Sequence, residues 1–181
     1  VMEADSLRDF DIVVYGATGF TGALVAEYLQ THHSEIRWAI AGRSPSKLES
    51  VKKQLGNAEL PTIEADSGSA VDMARLAGTA KVIISTVGPY AQHGTKLLEA
   101  CAAEGTHYCD LTGEPQWMAA VFEKVSDMAE ESGARLVHCC GFDSIPSDLG
   151  VFVAQKIMRE RHGVYATPVS GRMGPAKGAV S

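Results

Sequence analysis

An α/β fold built on a doubly wound parallel sheet is predicted by three features of the chain. Short apolar runs alternate with longer amphipathic runs from Asp11 to Gly163. The apolar runs are continuous, the pattern of strands buried on both faces. The first of them ends in a glycine-rich turn, "YGATGFTG", that leads straight into a helical pattern.

The elements follow in order. "DIVVYG" (11–16) is a buried strand, and "FTGALVAEYLQTH" (20–32) is a helix with Leu24, Val25, Tyr28 and Leu29 expected on its inner face. "RWAIAG" (37–42) is the second strand. Ser44 and Pro45 supply an N-cap and a first-turn proline for a helix over 45–55. "LPTIEAD" (60–66) is the third strand, with Pro61 limiting pairing at its start. A helix over 69–78 is expected to stop at Gly78, and "KVIISTVG" (81–88) is the fourth strand. A helix over 93–105 ends at Gly105, and "HYCDLTG" (107–113) is the fifth strand. The helix over 115–133 carries Trp117, Val121, Val125 and Met128 on one stripe. "ARLVHCCG" (134–141) is the sixth strand and 147–163 the final helix.

Six strands and six helices in strict alternation favour right-handed crossovers and a parallel sheet. Six units are too few for an eightfold barrel. The expected architecture is a Rossmann-type sheet with strand order 3-2-1-4-5-6. Its domain is placed at residues 8–152. Residues 153–181 are expected to finish the final helix and begin a second domain, because the Gly-, Pro- and Ser-rich stretch from Val164 starts like a strand at Tyr165 and meets no closing helix.

Composition sets limits on function. The chain has 181 residues, 45% of them hydrophobic, and a formal net charge of -6. This balance does not favour nucleic acid or an anionic membrane as partner. No apolar run reaches the ~20 residues of a bilayer span. The acidic start "VMEADSLRDF" lacks the pattern of a secretory signal. These features point to the cytosol. The four cysteines, Cys101, Cys109, Cys139 and Cys140, form no C-x-x-C pair and are expected to act as small buried hydrophobes. "HCC" (138–140) is not expected to hold a metal, because neighbouring strand residues point to opposite faces.

The glycine turn carries the main functional signal. Gly16 permits the turn off the strand, Gly19 opens the backbone to a pyrophosphate, and Gly22 lets the helix approach the sheet. Amides opening the helix bring partial positive charge to the phosphates. The whole segment Gly16, Ala17, Thr18, Gly19, Phe20, Thr21 and Gly22 is assigned to cofactor binding, with the Thr18 and Thr21 hydroxyls as added donors. The spacing is G-x-x-G-x-x-G, distinct from the G-x-G-x-x-G of many dehydrogenases. After the second strand stands "AGRSPSK", with no carboxylate between Arg37 and Lys47. Arg43, Ser44 and Lys47 therefore suit a 2′-phosphate, which favours NADP over NAD.

Other strand ends face the same crevice. Asp66 is expected near the adenine, and Thr86, Val87, Gly88 and Pro89 beside the nicotinamide half. Thr112, Ser144, Ser147 and Asp148 are read as helix caps. Asp110 is not readily explained as a cap. Tyr90 is the candidate proton donor, with Asp143 or Glu114 as an orienting or acid–base group. No tyrosine is followed four residues on by lysine, which disfavours the short-chain dehydrogenase mechanism.

The motifs "YGATGFTG", "WAIAGRS", "STVGPYAQHG", "THYCDLTGEPQ" and "CGFDSIPSDLGV", in this order, resemble the saccharopine dehydrogenase-like oxidoreductases over about residues 10–152. The resemblance implies an N-terminal NAD(P)-binding domain followed by a larger α+β domain, most of it outside this chain, through which a homodimer would form. It implies hydride transfer to or from a C=C, C=N or C=O bond of a small or lipid-derived substrate. The family includes mycobacterial trans-acting enoyl reductases that assist polyketide synthases. Saccharopine reductases carry a "GLDPG"-like turn after the sixth strand. "GFDSIPSD" stands here instead and points to the "-like" branch. The alternative is a non-catalytic protein that senses NADP(H) or serves as a scaffold, since such a site binds with or without turnover.

Overall fold

Six strands lie side by side in one fully parallel sheet, in the order β3-β2-β1-β4-β5-β6. The computed structural model describes residues 8–33, 35–172 and 174. The elements are β1 (Phe10–Tyr15), α1 (Phe20–His32), β2 (Trp38–Gly42), α2 (Pro45–Leu55), β3 (Thr62–Glu64), α3 (Ala70–Thr79), β4 (Ala80–Ser85), α4 (Tyr90–His93), α5 (Thr95–Glu104), β5 (His107–Asp110), α6 (Pro115–Ser132), β6 (Leu136–Val137) and α7 (Ile145–His162). The strand order is the one expected. The chain steps outward from β1 through β2 to β3, then returns to build β4, β5 and β6 on the other side. This reversal opens a crevice at the carboxyl ends of β1 and β4.

Alternation along the central strands divides the core into two layers. Val13 and Tyr15 of β1 and Ala39 and Ala41 of β2 face Met73, Leu76, Leu97, Leu98, Trp117 and Val121 from α3, α5 and α6. Val14 and Ile40 face Ala26, Leu29, Leu48 and Val51 from α1 and α2. Both strand faces are dry, which is why β1 and β2 are continuous apolar runs. Burying a side chain such as Leu97 or Ile83 stabilises the fold by about 1.5–3 kcal/mol. At the amino-terminal end of the strands, opposite the crevice, Asp11 accepts from Arg37 and pairs with Lys81 at 3.0 Å. The Arg37 and Lys81 hydrogen bonds hold its carboxyl well below the ordinary aspartate range.

Several expectations are corrected. In α1 the buried residues are Gly22, Ala26 and Leu29, while Leu24 and Tyr28 are half exposed. Small residues let the helix come close to the sheet, so they, not the largest apolar side chains, set the inner face. Gly78 does not stop α3, which continues to Thr79. The carbonyls at that end are satisfied by side chains: Thr79 Oγ1 donates to Leu76 O, and Thr106 Oγ1 and Arg8 Nη1 donate to Ala77 O. No left-handed cap is needed there. Gly105, Gly133 and Gly163 do end their helices in the left-handed region. Ser44 is the N-cap of α2 but its side chain makes no capping bond.

The extra helix α4 arises because Glu114 reaches over from the β5–α6 loop and accepts from the amides of Tyr90 and Ala91 at 2.6 and 2.9 Å. The sixth strand is only Leu136–Val137, and 138–140 leave the sheet, with Cys139 at φ 61°. Cys139 and Cys140 are therefore not strand neighbours. The strand expected at Tyr165 is not formed. Instead the Gln155 side chain pairs with Ala166 through both its amide groups. The last helix, α7, has no buried residue. Among the described residues no helix is long and apolar enough to cross a membrane.

Candidate functional site

The turn between β1 and α1 is built around two glycines that no other residue could replace. Gly16 has φ 92°, and a Cβ there would lie 2.7 Å from both Thr86 Oγ1 and Val87 Cγ2. A Cβ on Gly22 would lie 2.2 Å from Gly16 O, an impossible approach to backbone. Gly19 is less constrained, its Cβ meeting Gly16 O at 3.4 Å. Its amide closes the turn onto Gly16 O at 3.0 Å. Gly19 is also the N-cap of α1 and offers no side chain to the first turn. The amides of Phe20, Thr21 and Gly22 thus open the helix without a side-chain cap, the arrangement that receives a phosphate.

Beside this turn lies a crevice of about 160 Å³. Tyr15, Gly16 and Thr18 line it from the first unit, Gly42 and Arg43 from the end of β2, Ser67 from beyond β3, and Val87, Gly88 and His93 from beyond β4. A larger hollow of about 600 Å³ lies between α7 and Tyr165. It gathers no strand ends, and its lining is helix surface.

The cofactor residues expected from sequence take different positions. Gly16, Thr18, Arg43, Val87 and Gly88 line the crevice. Ala17 is fully buried in the layer under α1 and α2, 0% exposed, and offers the crevice no surface. Phe20 stands 73% exposed at the head of α1. Arg43 and Lys47 are exposed and form no ion pair among the described residues. Ser44 Oγ pairs with Ser46 Oγ at 3.2 Å. Thr86 turns its hydroxyl into the protein, onto Tyr15 O and Gly16 O at 3.1 and 3.2 Å. It stitches β4 to the glycine turn. Asp66 does not line the crevice. Its carboxylate accepts from the Gly68 amide at 2.8 Å and shapes the bend that presents Ser67. Pro89 is exposed and precedes α4.

The three catalytic candidates are likewise separated. Tyr90 is 5% exposed and donates its hydroxyl to Ser85 O at 3.0 Å. Burial holds its phenol above the usual tyrosine value. A sealed, committed hydroxyl is poorly placed to protonate a substrate; here it braces the end of β4. Glu114 spends both carboxylate oxygens on the α4 amides. Asp143 is exposed, with its oxygens lying over Gly113 and Gly141.

Sequence reasoning missed three groups. Ser67 and His93 share a 3.2 Å hydrogen bond at the crevice. Each stands just past a strand or at the end of α4, and the rule that strand ends carry ligands was the available signal. The third is His138, whose Nδ1 lies 2.7 Å from Asp110 Oδ2. Among the described residues, no cluster of three or more His, Cys, Asp or Glu is arranged to hold a metal ion.

Comparison with known proteins adds the following. The family model described as the saccharopine dehydrogenase NADP binding domain matches residues 12–138. A trans-acting enoyl reductase of Mycobacterium leprae is 45% identical over 159 residues, 86% of this chain and 38% of that protein. A trans-acting enoyl reductase of Mycobacterium tuberculosis is 46% identical over 147 residues, 80% of this chain and 35% of that protein. The chain thus spans little more than a third of these relatives. Saccharopine dehydrogenase (L-Glu forming) from Saccharomyces cerevisiae superposes with TM-score 0.66 at 16% identity, covering 85% of this chain and 32% of that one. The triphenylmethane reductase of Citrobacter sp., solved with NADP(H), superposes with TM-score 0.54 at 16% identity, over 71% of this chain and 48% of that one. These two likenesses show the fold.

Proposed function

Because the chain belongs to the saccharopine dehydrogenase NADP binding domain family, we propose that it holds NADP(H) in the crevice beside Gly16 and serves an oxidoreductase that reduces an enoyl group. The observation that carries this reading is the cradle at Gly16 and Gly22, where a single methyl group would collide with backbone or with Thr86. A site built to exclude side chains leaves its amides for a ligand.

The residues present fit the cofactor. The first-turn amides of α1 would hold the pyrophosphate, which the side-chain-free, exposed Gly19 lets approach. Arg43, standing at the end of β2 where a carboxylate would favour NAD, offers a planar cation to a 2′-phosphate, with Lys47 and Ser44 nearby in sequence. Val87 and Gly88 would let the nicotinamide half lie close to β4. When bound, the reduced cofactor supplies the hydride. Thr86, Tyr90 and Glu114 hold the surrounding loops in place through the bonds described above. The relatives' name motivates the enoyl substrate, and most of the pocket for it would come from outside the described residues.

Titration of NADPH and NADH against the protein and its Arg43→Ala variant tests this reading. NADPH is expected to bind at least about tenfold more tightly than NADH, a gap near 1.4 kcal/mol. Arg43→Ala should remove most of that gap while leaving NADH nearly unchanged. Equal losses for both cofactors would contradict the role of Arg43, and no binding of either would remove the reading.

A further inference from the structure

At the carboxyl ends of β5 and β6 lies a buried polar network that the cofactor cradle does not use. Asp110, the last residue of β5, is 1% exposed. Its Oδ1 accepts from the amides of Thr112 and Cys139 at 3.1 and 3.2 Å. Its Oδ2 accepts from Tyr108 Oη at 2.9 Å and from His138 Nδ1 at 2.7 Å. Burial and the adjacent Asp110 carboxylate hold the Tyr108 phenol well above its usual range, so it stays a donor. The Thr112 and Cys139 amides and Tyr108 Oη all donate to Asp110, and with the carboxylate as acceptor the proton shared with His138 sits on Nδ1.

The other side of the ring is open. The His138 side chain is 17% exposed, and among the described residues its Nε2 has no hydrogen-bond partner. Among the described residues no fully buried side-chain nitrogen or oxygen lacks a partner, so Nε2 is not sealed off from solvent. Trp117 packs edge-on to the ring at 5.1 Å and stacks on Tyr90 at 5.5 Å. Tyr90 opens α4, whose last residue, His93, lines the crevice beside Gly88. Rings in contact therefore run from Tyr90, at the head of α4, through Trp117 to His138. In this strand order the adenosine half belongs over β2 and β3, and the nicotinamide half over β4 and beyond.

We propose that His138, oriented through Nδ1 by Asp110, is the proton-transfer residue of the site and presents Nε2 to the substrate beside the nicotinamide half. The inference rests on the NADP(H) reading above. Reduction of a C=C bond adds a hydride to one carbon and a proton to the other. The hydride comes from the reduced cofactor. The imidazolium gives its Nε2 proton, becomes neutral with Nδ1–H still on Asp110, and regains a proton from water. Atoms and charge balance without another reactant. A backbone held out of the sheet at Cys139, with φ 61°, brings His138 and the Cys139 amide onto the same carboxylate.

The test uses the unmodified chain and needs no substrate. Diethyl pyrocarbonate labelling is followed at His138 by peptide mass spectrometry, alone, with NADP+, and with 2′,5′-ADP as the adenosine half. His138 should be labelled in the free protein. Saturating NADP+ should slow labelling roughly tenfold or more as the open form is depleted, while 2′,5′-ADP leaves the rate unchanged. Long-range ¹⁵N spectra should show the neutral ring protonated at Nδ1. A silent His138, a rate unaffected by bound NADP+, equal slowing by both ligands, or an Nε2–H ring would each overturn the proposal. NADP+ that binds by titration without protecting His138 defeats this inference alone. NADP+ that does not bind defeats the cofactor reading with it.

Discussion

Gly22→Ala is expected to weaken NADPH binding by about 100-fold or more, close to 2.7 kcal/mol. The added methyl would sit 2.2 Å from Gly16 O, 2.7 Å from Gly16 C and 2.7 Å from Thr86 Oγ1. None of these neighbours is the free end of a flexible side chain. Gly16 is held by the hydrogen bond its amide donates to Ala41 O, and Thr86 by those it donates to Tyr15 O and Gly16 O. The only relief is to lift α1 away from the sheet, which moves the first-turn amides from the phosphate position. Gly19→Ala meets Gly16 O at 3.4 Å and should cost much less. Titration of both variants, with thermal melts to confirm folding, checks the pair. Similar affinities for Gly22→Ala and the parent would show that the turn does not hold the ligand.

Asp110→Ala is expected to destabilise the fold by about 3–5 kcal/mol, the usual cost of removing one partner of a buried charged network. The carboxylate joins β5 to the segment after β6, and β6 is only two residues long. Its loss leaves the Tyr108 hydroxyl, at 1% exposure, without its acceptor. Urea denaturation should show the midpoint fall. A change below about 1 kcal/mol would place the network in the range of a surface ion pair and deny it a structural role.

The parts of the fold legible in sequence are those decided locally. β1, β2 and β4 are runs whose residues pack on both faces, and no helix of that length could bury them so fully. The parallel sheet followed from alternation and crossover handedness, and its order from the Rossmann-type pattern. Gly105 and Gly133 marked real helix ends because each lies in the left-handed region. What escaped depends on groups far apart in the chain. Gly78 looked like a stop, but Thr106, 29 positions on, satisfies the carbonyl of Ala77. The inner face of α1 looked like its largest apolar residues, yet contact distance to the sheet selected Gly22 and Ala26.

The site divides the same way. The glycine turn was legible because steric need and sequence spacing coincide. The place of Arg43 on the crevice was legible from its position at the end of β2. Thr86 looked like ligand lining and proved to be a brace, since a hydroxyl has no direction in sequence. Glu114 looked like an acid, and in the fold both its carboxylate oxygens accept from the amides that open α4. His138 was dismissed within "HCC" on the assumption of a strand. Once the chain leaves the sheet at that residue, the alternation argument lapses, and the ring meets Asp110 across 28 positions.

A crystal structure of the chain grown with NADP+ measures the cofactor assignment most directly. The pyrophosphate oxygens are expected about 3 Å from the amides that open α1, with the 2′-phosphate against Arg43 and the nicotinamide on the Gly88 side of the crevice. A pyrophosphate bound away from the Gly16–Gly22 turn, or a ligand that never occupies the crevice at saturating concentration, would contradict it.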